Sequence, residues 1–213
     1  MLLGLSALKE DDIMEQKHYF TDNRDLPSNR KVHPFTLAGH TWNFTTDDGV
    51  FSKSGVDYGT KVLLEAAARE QIAGDVLDMG CGYGVIGIVV RTLFPSCTVV
   101  CSDVNPRAAE LAEANSRSCD APVTVIVSDG FENITDSFDT ILSNPPIRAG
   151  KKTVYAIFEG AYAHLKPHGI FLAVIRKQQG ADSAARKLRE VFGNCEQIAN
   201  DKSYRVLKCI REN

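Results

Sequence analysis

The sequence lacks any apolar run that approaches the ~20 residues of a membrane-spanning helix. Its first residues, MLLGLSALKEDD, are apolar only briefly. They show neither the basic region nor the length of a secretory signal. We therefore expect a cytoplasmic protein that has no membrane partner.

Patterns typical of metal sites and disulfide frameworks are also missing. The sequence has 6 cysteines and 5 histidines, but it has no C-x-x-C pair and no histidine spacing typical of a metal site. Several cysteines fall within apolar runs, where a thiol packs as a small hydrophobic group. We expect reduced thiols, without a disulfide framework and without a bound metal.

A strong excess of one charge is absent as well. The net charge is -3 over 213 residues, whereas proteins that hold nucleic acid through their overall field carry a positive excess. Any contact with nucleic acid must therefore come from a local basic patch. The length and the 44% hydrophobic content suffice for one core, and we expect a monomer or a homodimer.

What the chain does contain, from Gly74 onward, is an alternation of strand and helix patterns. The central strands, such as DVLDMG, CTVVCSD and FDTILSN, are almost continuously apolar. Such strands are typical of a parallel sheet that helices cover on both faces, which is an α/β architecture. The last two strands are joined by a short loop and are therefore expected to be antiparallel.

The region before Gly74 has a different pattern. VHPFTLAGHTWNF alternates apolar and polar residues around a turn and predicts a β-hairpin. A helix is predicted from Tyr58 to Gln71, with Asp57 as its cap. We expect residues 1–56 to form an extension whose hairpin packs on the core, and residues 57–213 to form the main domain.

The first strand of the alternating region runs into a glycine-rich stretch, DMGCGYGVIG. Gly82, Gly84 and Gly87 fit G-x-G-x-x-G, and Asp103 lies ~20 residues further on, which is typical of a nicotinamide dinucleotide site. However, Asp78 precedes the loop, and an acid there opposes a pyrophosphate. S-adenosylmethionine carries a sulfonium and an ammonium and no phosphate, so it suits this loop better.

Three acids, Asp78, Asp103 and Asp129, lie at the ends of predicted strands. In an open parallel sheet, ligands bind beyond the carboxyl ends of the strands. Asp103 could bind ribose hydroxyls there, and Asp129 could accept a hydrogen bond from the exocyclic amine of adenine. The structural alternatives are that Asp78 is a cap and that Asp129 is a turn residue before Gly130.

The fourth strand ends at the tetrapeptide SNPP, residues 143–146. The two prolines remove backbone donors and stiffen the turn, while the Asn144 side-chain oxygen and the carbonyls of the turn are acceptors. Such acceptors suit a planar NH2 group on a base or an amide. Holding both N–H bonds would point the nitrogen lone pair at an electrophilic methyl. A plain turn is the alternative.

Together, VLDMGCGYGVIGI, SDVNPRA, VSDG and ILSNPPIRAG resemble the class I S-adenosylmethionine-dependent methyltransferases that modify exocyclic amines. GVFSKSGVDYGTKVLL and NPPIRAGKK are most similar to the RsmC-type family, the 16S ribosomal RNA guanine-N2 methyltransferases. The resemblance extends from about Val32 to the C-terminus. It implies a Rossmann-like, mostly parallel seven-stranded sheet of order 3-2-1-4-5-7-6 with an antiparallel seventh strand.

The resemblance also implies roles for residues in these motifs, with S-adenosylmethionine as cofactor and ribosomal RNA or the small ribosomal subunit as partner. It implies that residues 51–60 fold over the site, with Lys53 facing substrate and Asp57 or Thr60 near the donor. The expected cofactor-binding residues are Asp78, Gly80, Cys81, Gly82, Gly84, Asp103, Val104, Asp129, Gly130 and Asn144. The expected catalytic residues are Asn144, Pro145 and Pro146, and the expected substrate-binding residues are Lys53, Ile147 and Arg148.

Ile147 bears on the choice of amine. Adenine-N6 and glutamine-amide enzymes with this motif usually place Tyr or Phe there, whereas isoleucine has no π-face to stack on the target. Methyl transfer to adenine N6 or to a protein glutamine is therefore a disfavoured alternative, and methyl transfer to a small-molecule amine stays open as another. A nicotinamide-dependent oxidoreductase and a catalytically silent RNA-binding subunit are further alternatives.

Basic residues adjoin the predicted site. A basic rim could bind RNA phosphates while a guanine is splayed outward, and an ordinary solvated surface is the alternative. The residues of this predicted rim are Lys17, Arg24, Arg30, Lys31, His33, Arg148, Lys151, Lys152, Arg176 and Lys177.

Overall fold

The computed structural model describes residues 27–213. The predicted rim residues Lys17 and Arg24, and the first part of the predicted extension, lie outside the described residues. None of the helices within 27–213 has both the length and the apolarity needed to cross a bilayer.

The secondary structure of the described part alternates in the way that the sequence predicts. The strands are β1 Lys31–Leu37, β2 His40–Thr46, β3 Asp75–Met79, β4 Thr98–Asp103, β5 Thr124–Val127, β6 Phe138–Ser143, β7 Leu165–Arg176, β8 Glu196–Asp201 and β9 Tyr204–Ile210. The helices are α1 Tyr58–Ala67, α2 Val85–Leu93, α3 Pro106–Ser118, α4 Lys151–His164 and α5 Ala181–Phe192. Short 3₁₀ turns, Ile147–Ala149 and Lys177–Gln179, follow β6 and β7.

Strands β3 to β9 form one sheet of 7 strands in the order β5-β4-β3-β6-β7-β9-β8. The pairs among β3 to β7 are parallel, and β9 is antiparallel to both of its neighbours, β7 and β8. Counted from β3, this is the expected order 3-2-1-4-5-7-6. The predicted Rossmann-like α/β class with an antiparallel seventh strand is therefore confirmed.

The predicted hairpin is also present, as β1 and β2 in a separate two-stranded sheet. Ala38 and Gly39 make its turn with positive φ angles of 48° and 81°, which match the twist of a two-residue hairpin loop. Phe35, Trp42 and Phe44 are buried in the same apolar cluster as residues of α1, α2 and α3. The hairpin therefore packs on one side of the main sheet.

Successive residues of the central strand enter two different cores. On β3, Val76 packs in the cluster that contains α1, α2, α3 and the hairpin, whereas Leu77 packs in the cluster that contains α4 and α5. Both side chains are 0% exposed. Because successive side chains of a strand point to opposite faces, the two layers explain the continuous apolar run.

Two element boundaries differ from the sequence prediction. α1 ends at Ala67 rather than at Gln71, because the chain tightens there: the N–H of Arg69 donates to the carbonyl of Ala66, three residues back, at 3.0 Å. β7 begins at Leu165, before its predicted start, because a register shift lets it pair again with the beginning of β6.

Candidate active site

The loops after β3, β4, β5 and β6 meet at one edge of the sheet. Met79, the last residue of β3, lies level with Ser102 on β4 and with Ser143 on β6. The glycine loop that follows Met79 therefore lies between Asp103 and Asn144. Ligands of open α/β sheets bind at this carboxyl edge.

Gly80 and Gly82 form an open cradle at the start of the glycine loop. Their φ angles are positive, 73° and 55°, and a Cβ added to either would meet no atom of residues 27–213 within 4 Å. Gly84 differs, since a Cβ there would lie 3.0 Å from the Cβ of Ala112 on α3. The first two glycines leave room for a ligand, whereas the third lets α3 pack closely.

Three amides at the start of the glycine loop are already hydrogen bonded within the protein. The N–H groups of Gly80 and Cys81 both donate to the Ser102 carbonyl, at 2.8 and 2.9 Å. The N–H of Gly82 donates to Asp103 Oδ2 at 2.8 Å. A pyrophosphate needs free amides at this position, so the geometry disfavours a dinucleotide and favours a ligand without phosphate.

Asp78 lies beneath the loop and is fully buried, 0% exposed. Its Oδ2 accepts a hydrogen bond from the N–H of Gly87 at 2.9 Å, so it caps the first turn of α2. Its Oδ1 has no hydrogen-bond partner among residues 27–213. Burial raises the pKa of Asp78 to about 7, with a further contribution from the charge of Asp103. Direct contact between Asp78 and a donor stays a prediction.

Cys81 is buried and points its thiol into the protein. The neighbouring Cys101 thiol, followed by burial, raises the pKa of Cys81 well above its usual value, so the thiol stays protonated. Any contact of Cys81 with a ligand in the cradle would come from its backbone. In the described part of the chain, no group of 3 or more His, Cys, Asp or Glu side chains could hold a metal ion.

Asp103 is oriented at the end of β4 by two amides. Its carboxylate accepts hydrogen bonds from the N–H of Gly82 at 2.8 Å and from the N–H of Asn105 at 2.9 Å. Burial raises the pKa of Asp103, although these two hydrogen bonds act in the opposite direction. Val104 follows with a side chain that is 38% exposed. Acceptors thus lie beside an apolar surface, as a nucleoside site requires.

The loop after β5 presents Asp129 at the same edge. Asp129 is exposed, and Gly130 has a φ of 52°, with no atom from the described part of the chain within 4 Å of an added Cβ. Ser128 fixes this loop, since its hydroxyl donates to the Gly130 carbonyl at 2.9 Å and accepts from the N–H of Asn133 at 3.0 Å. Asp129 is therefore held on a hydrogen-bonded turn with open space beside it.

The turn after β6, residues 143–146, is called the elbow here, and hydrogen bonds hold it on both sides of Asn144. The Ser143 hydroxyl donates to the Met79 carbonyl at 2.8 Å, which ties the end of β6 to β3. Beyond Asn144, the N–H of Ile147 donates to the Pro145 carbonyl at 2.8 Å. The prolines fix the backbone between these bonds, so the elbow holds one shape without a ligand.

The Asn144 amide is oriented by two residues at the start of α1. Its Nδ2 donates to Asp57 Oδ2 at 3.2 Å and to Thr60 Oγ1 at 3.0 Å. Its Oδ1 has no donor among the described residues. That oxygen is therefore the acceptor of Asn144 that is left for a ligand.

A strap, residues 47–57, crosses the carboxyl edge between β2 and α1. Asn105 Nδ2 donates to the Gly49 carbonyl at 3.0 Å, so one end of the strap is anchored after β4. The other end leads into α1, which contacts the β6 elbow. Lys53 Nζ lies 3.2 Å from Asp48 Oδ1, and 50% of the Lys53 side chain is exposed. Contact of Lys53 with substrate stays a prediction.

Asn115, on α3, joins the hairpin to the glycine loop, and sequence reasoning missed it. The residue is 0% exposed. Its Oδ1 accepts from the N–H of Thr45 at 2.8 Å, and its Nδ2 donates to the carbonyls of Thr45 and Tyr83 at 3.0 and 2.9 Å. The signal that could have found it is a polar residue on the apolar face of α3, four positions after Leu111.

The predicted basic rim divides into two groups. Arg30 lies 3.8 Å from Asp47, and His33 lies on β1 with its Nε2 buried, so both belong to the hairpin, as does Lys31. The other group follows β6 and β7 at the carboxyl edge. Its members are exposed and have no ion-pair partner among residues 27–213: Arg148, Lys151, Lys152, Arg176 and Lys177.

A family model described as "Methyltransferase small domain" matches residues 41–208 of the chain. Among solved structures, the chain is similar to the Thermus thermophilus 16S rRNA N2 G1207 methyltransferase RsmC in complex with AdoMet and guanosine, with a TM-score of 0.79 and 26% identity. The match covers 87% of this chain and 52% of that one.

Two curated relatives differ in how much of their length the chain spans. The uncharacterized protein YbxB of Bacillus subtilis is 40% identical over 195 residues, which cover 90% of this chain and 97% of YbxB. Ribosomal RNA small subunit methyltransferase C of Pseudoalteromonas translucida is 38% identical over 137 residues, which cover 63% of this chain and 40% of that protein. The chain thus spans about half, or less, of the relatives that carry a methyltransferase name.

Proposed function

Because the chain belongs to the methyltransferase small domain family, we propose that it transfers a methyl group from S-adenosylmethionine to the exocyclic N2 of a guanine in small-subunit ribosomal RNA. The family match and the fold agree with the resemblance to class I methyltransferases of the RsmC type. The glycine cradle supports the assignment of the methyl donor, and the elbow after β6 supports an amine as the methyl acceptor. The names of the relatives support RNA as the substrate.

The residues at the carboxyl edge fit this donor. When bound, S-adenosylmethionine supplies an electrophilic methyl group on a sulfonium. Gly80 and Gly82 leave room for it, and the N–H groups of Gly80, Cys81 and Gly82 already have partners within the protein. Asp103 would accept hydrogen bonds from the ribose hydroxyls, and Asp129 from the adenine amine. The buried carboxyl of Asp78 has no cation beside it among residues 27–213, so its ionised form favours a cationic ligand.

The elbow fits a planar amine. Asn144 Oδ1 accepts no hydrogen bond from the described part of the chain, and the Pro145 carbonyl, which accepts one hydrogen bond from Ile147, retains a second lone pair. An NH2 group that donates to both oxygens would point its nitrogen lone pair away from them. Fixing the direction of the lone pair before the reaction accelerates methyl transfer, because the two reacting groups are already held in the reactive geometry. Because the elbow is already rigid, the acceptors need no rearrangement when the amine arrives.

The proton of the amine needs no strong base in the protein. Methyl transfer to the amine gives a positively charged nitrogen, which loses a proton readily to water. The residues of the elbow therefore act through position and electrostatics, and a dedicated histidine or lysine base is not required.

Guanine in RNA is favoured over other amines by three features. The structural relative is named for guanine N2 of 16S rRNA. Ile147 offers apolar contact but no ring for stacking, unlike the aromatic residue expected for adenine-N6 or glutamine substrates. The exposed cations after β6 and β7, including Arg148 and Lys151, adjoin the elbow and could bind RNA phosphates while the target base is splayed out.

The free Oδ1 of Asn144 beside the glycine cradle is the observation that carries this proposal, and Asn144→Ala tests it. The substitution should lower kcat for methylation of small ribosomal subunits from a deletion strain by at least ~100-fold. Binding of S-adenosylmethionine, measured by calorimetry, should change less than about twofold. Asn200→Ala, at an exposed position of β8, is the matched control and should behave as the unmodified protein.

The substrate assignment has its own test. Mass spectrometry of rRNA nucleosides should show loss of one N2-methylguanosine in the deletion strain and its return with the active gene alone. Normal turnover by Asn144→Ala would refute the role of the elbow. Methyl transfer that survives ribonuclease treatment of an extract would instead favour a protein or small-molecule amine.

A further inference from the structure

The start of α1 and the β6 elbow share one carboxylate oxygen. Asp57 is the N-cap of α1, and its Oδ2 accepts from the N–H of Thr60 at 3.3 Å. The same Oδ2 accepts from Nδ2 of Asn144 at 3.2 Å. Capping a helix needs only the first of these bonds. The second reaches a residue 87 positions further along the chain.

Of the two contacts that hold the Asn144 amide, the one with Asp57 decides which way the amide faces, because the Thr60 hydroxyl can either donate or accept a hydrogen bond. A side-chain amide has an oxygen end and an NH2 end of nearly the same shape, and only its hydrogen bonds distinguish the two orientations. An ionised carboxylate can only accept hydrogen bonds. The NH2 end must therefore face Asp57, and Oδ1 must face the opposite direction, toward the open carboxyl edge.

The carboxylate of Asp57 is itself confined. A Cβ added to Gly59 would lie 2.9 Å from Asp57 Oδ2 and 2.8 Å from the ring of Tyr204. The absence of a side chain at Gly59 thus lets the carboxylate fold back over the first turn of α1. With Tyr204 behind this turn, Asp57 has little freedom to move away from Asn144.

We propose that Asp57 is a positioning residue, which fixes the Asn144 amide so that Oδ1, and not the NH2 group, meets the target amine. This inference rests on the proposed function of the elbow. It assigns Asp57 to the acceptor side of the reaction, in place of the contact with the methyl donor that the family resemblance allows. The same carboxylate then both caps α1 and orients the Asn144 amide.

Two substitutions separate orientation from capping. Asp57→Ser keeps a good N-cap, but its hydroxyl is too short to reach Asn144. Asp57→Asn keeps the N-cap, and its amide oxygen lies as far along the side chain as the carboxylate oxygen that it replaces. The N–H of Thr60 should hold this amide oxygen toward α1, where it can also accept a hydrogen bond from Asn144. Both variants should melt within about 4 °C of the unmodified protein.

The kinetic results should differ between the two variants. Asp57→Ser should lower kcat for small-subunit methylation by at least ~10-fold and leave the Kd for S-adenosylmethionine within about twofold. Asp57→Asn should restore kcat to within about threefold. Asp57→Ser in an Asn144→Ala background should add no further loss, since the two residues act as one unit.

A readout without substrate keeps this test independent of the proposed function. In ¹⁵N-labelled protein, the side-chain NH2 resonances of Asn144, assigned by their absence in Asn144→Ala, should be protected from exchange in the unmodified protein and in Asp57→Asn. They should lose that protection in Asp57→Ser. Unchanged protection, or full activity of Asp57→Ser while Asn144→Ala is inactive, overturns the role of Asp57. Full activity of Asn144→Ala overturns the function of the elbow instead.

Discussion

Replacement of Gly80 by alanine is the sharpest test of the donor cradle, because the fold offers a matched control. Gly80 has a φ of 73°, and no atom of the described residues lies within 4 Å of an added Cβ. Gly39, in the turn of the hairpin, has a φ of 81° and equally open space around an added Cβ. The two substitutions therefore impose a similar backbone cost, but only the Gly80 methyl projects at the carboxyl edge.

The positive φ angle sets the loss of folding stability that Gly80→Ala and Gly39→Ala have in common. An L-residue in the left-handed region is less stable by roughly 1–2 kcal/mol, and the lower entropy of the unfolded alanine variant offsets part of this. A net loss of about 1 kcal/mol corresponds to a fall in Tm of roughly 2–4 °C for a domain of this size. Both variants should therefore fold and melt slightly earlier than the unmodified protein.

Calorimetric titration with S-adenosylmethionine then distinguishes them. Gly80→Ala should weaken binding by at least ~10-fold, or about 1.4 kcal/mol, because the added methyl group occupies space that the donor needs. Gly39→Ala should bind with an unchanged Kd. Equal affinity of Gly80→Ala and the unmodified protein would show that the donor does not lie in this cradle. Equal losses in both variants would show that the effect is one of stability alone.

Two further predictions concern buried polar groups. Asn115→Ala should lower the free energy of unfolding, measured in urea, by about 2–4 kcal/mol, because three backbone groups lose their hydrogen-bond partner. The control Asn43→Ala, on the exposed side of β2, should change that free energy by less than about 0.5 kcal/mol. Equal changes in the two variants would contradict the role of Asn115. Burial raises the pKa of Asp78 to about 7 from 3.8, so its contribution to stability is present below pH 3.8 and is lost as the pH rises through 7. The cationic donor favours the ionised form of Asp78, so the affinity for S-adenosylmethionine should rise by up to about tenfold in total between pH 6 and 8 and level off above that range. An equally steep profile in Asp78→Asn would assign the proton to another group.

The family motifs made much of this architecture predictable. The alternation of apolar strands and amphipathic helices is a local pattern, and it placed every strand of the sheet and the hairpin. The strand order came from the resemblance, and the structure confirms it. The glycine loop, Asp103 and the elbow at Asn144 lie together because all parallel strands end at the same edge.

Other features of the candidate site cannot be recognised from the local sequence. Asp78 precedes the glycines in a way that suggests contact with a ligand, yet its carboxyl is buried beneath the loop and bonds to Gly87. Cys81 stands in the middle of the motif, yet its thiol points inward. The orientation of a side chain beneath a loop depends on how α2 returns over β3, which the order of residues alone does not specify.

The sequence by itself determined the fold class, the loop chemistry and the family, because periodicity and turn residues act within a few positions of one another. Only the tertiary structure decided that Asp57 and Thr60 meet Asn144, 87 and 84 residues apart, and that Asn115 joins the hairpin to the glycine loop. Contacts over such separations exist only after the sheet order has brought the start of α1 beside the turn after β6, and α3 beside β2. The direction in which the elbow's amide points is therefore a property of packing.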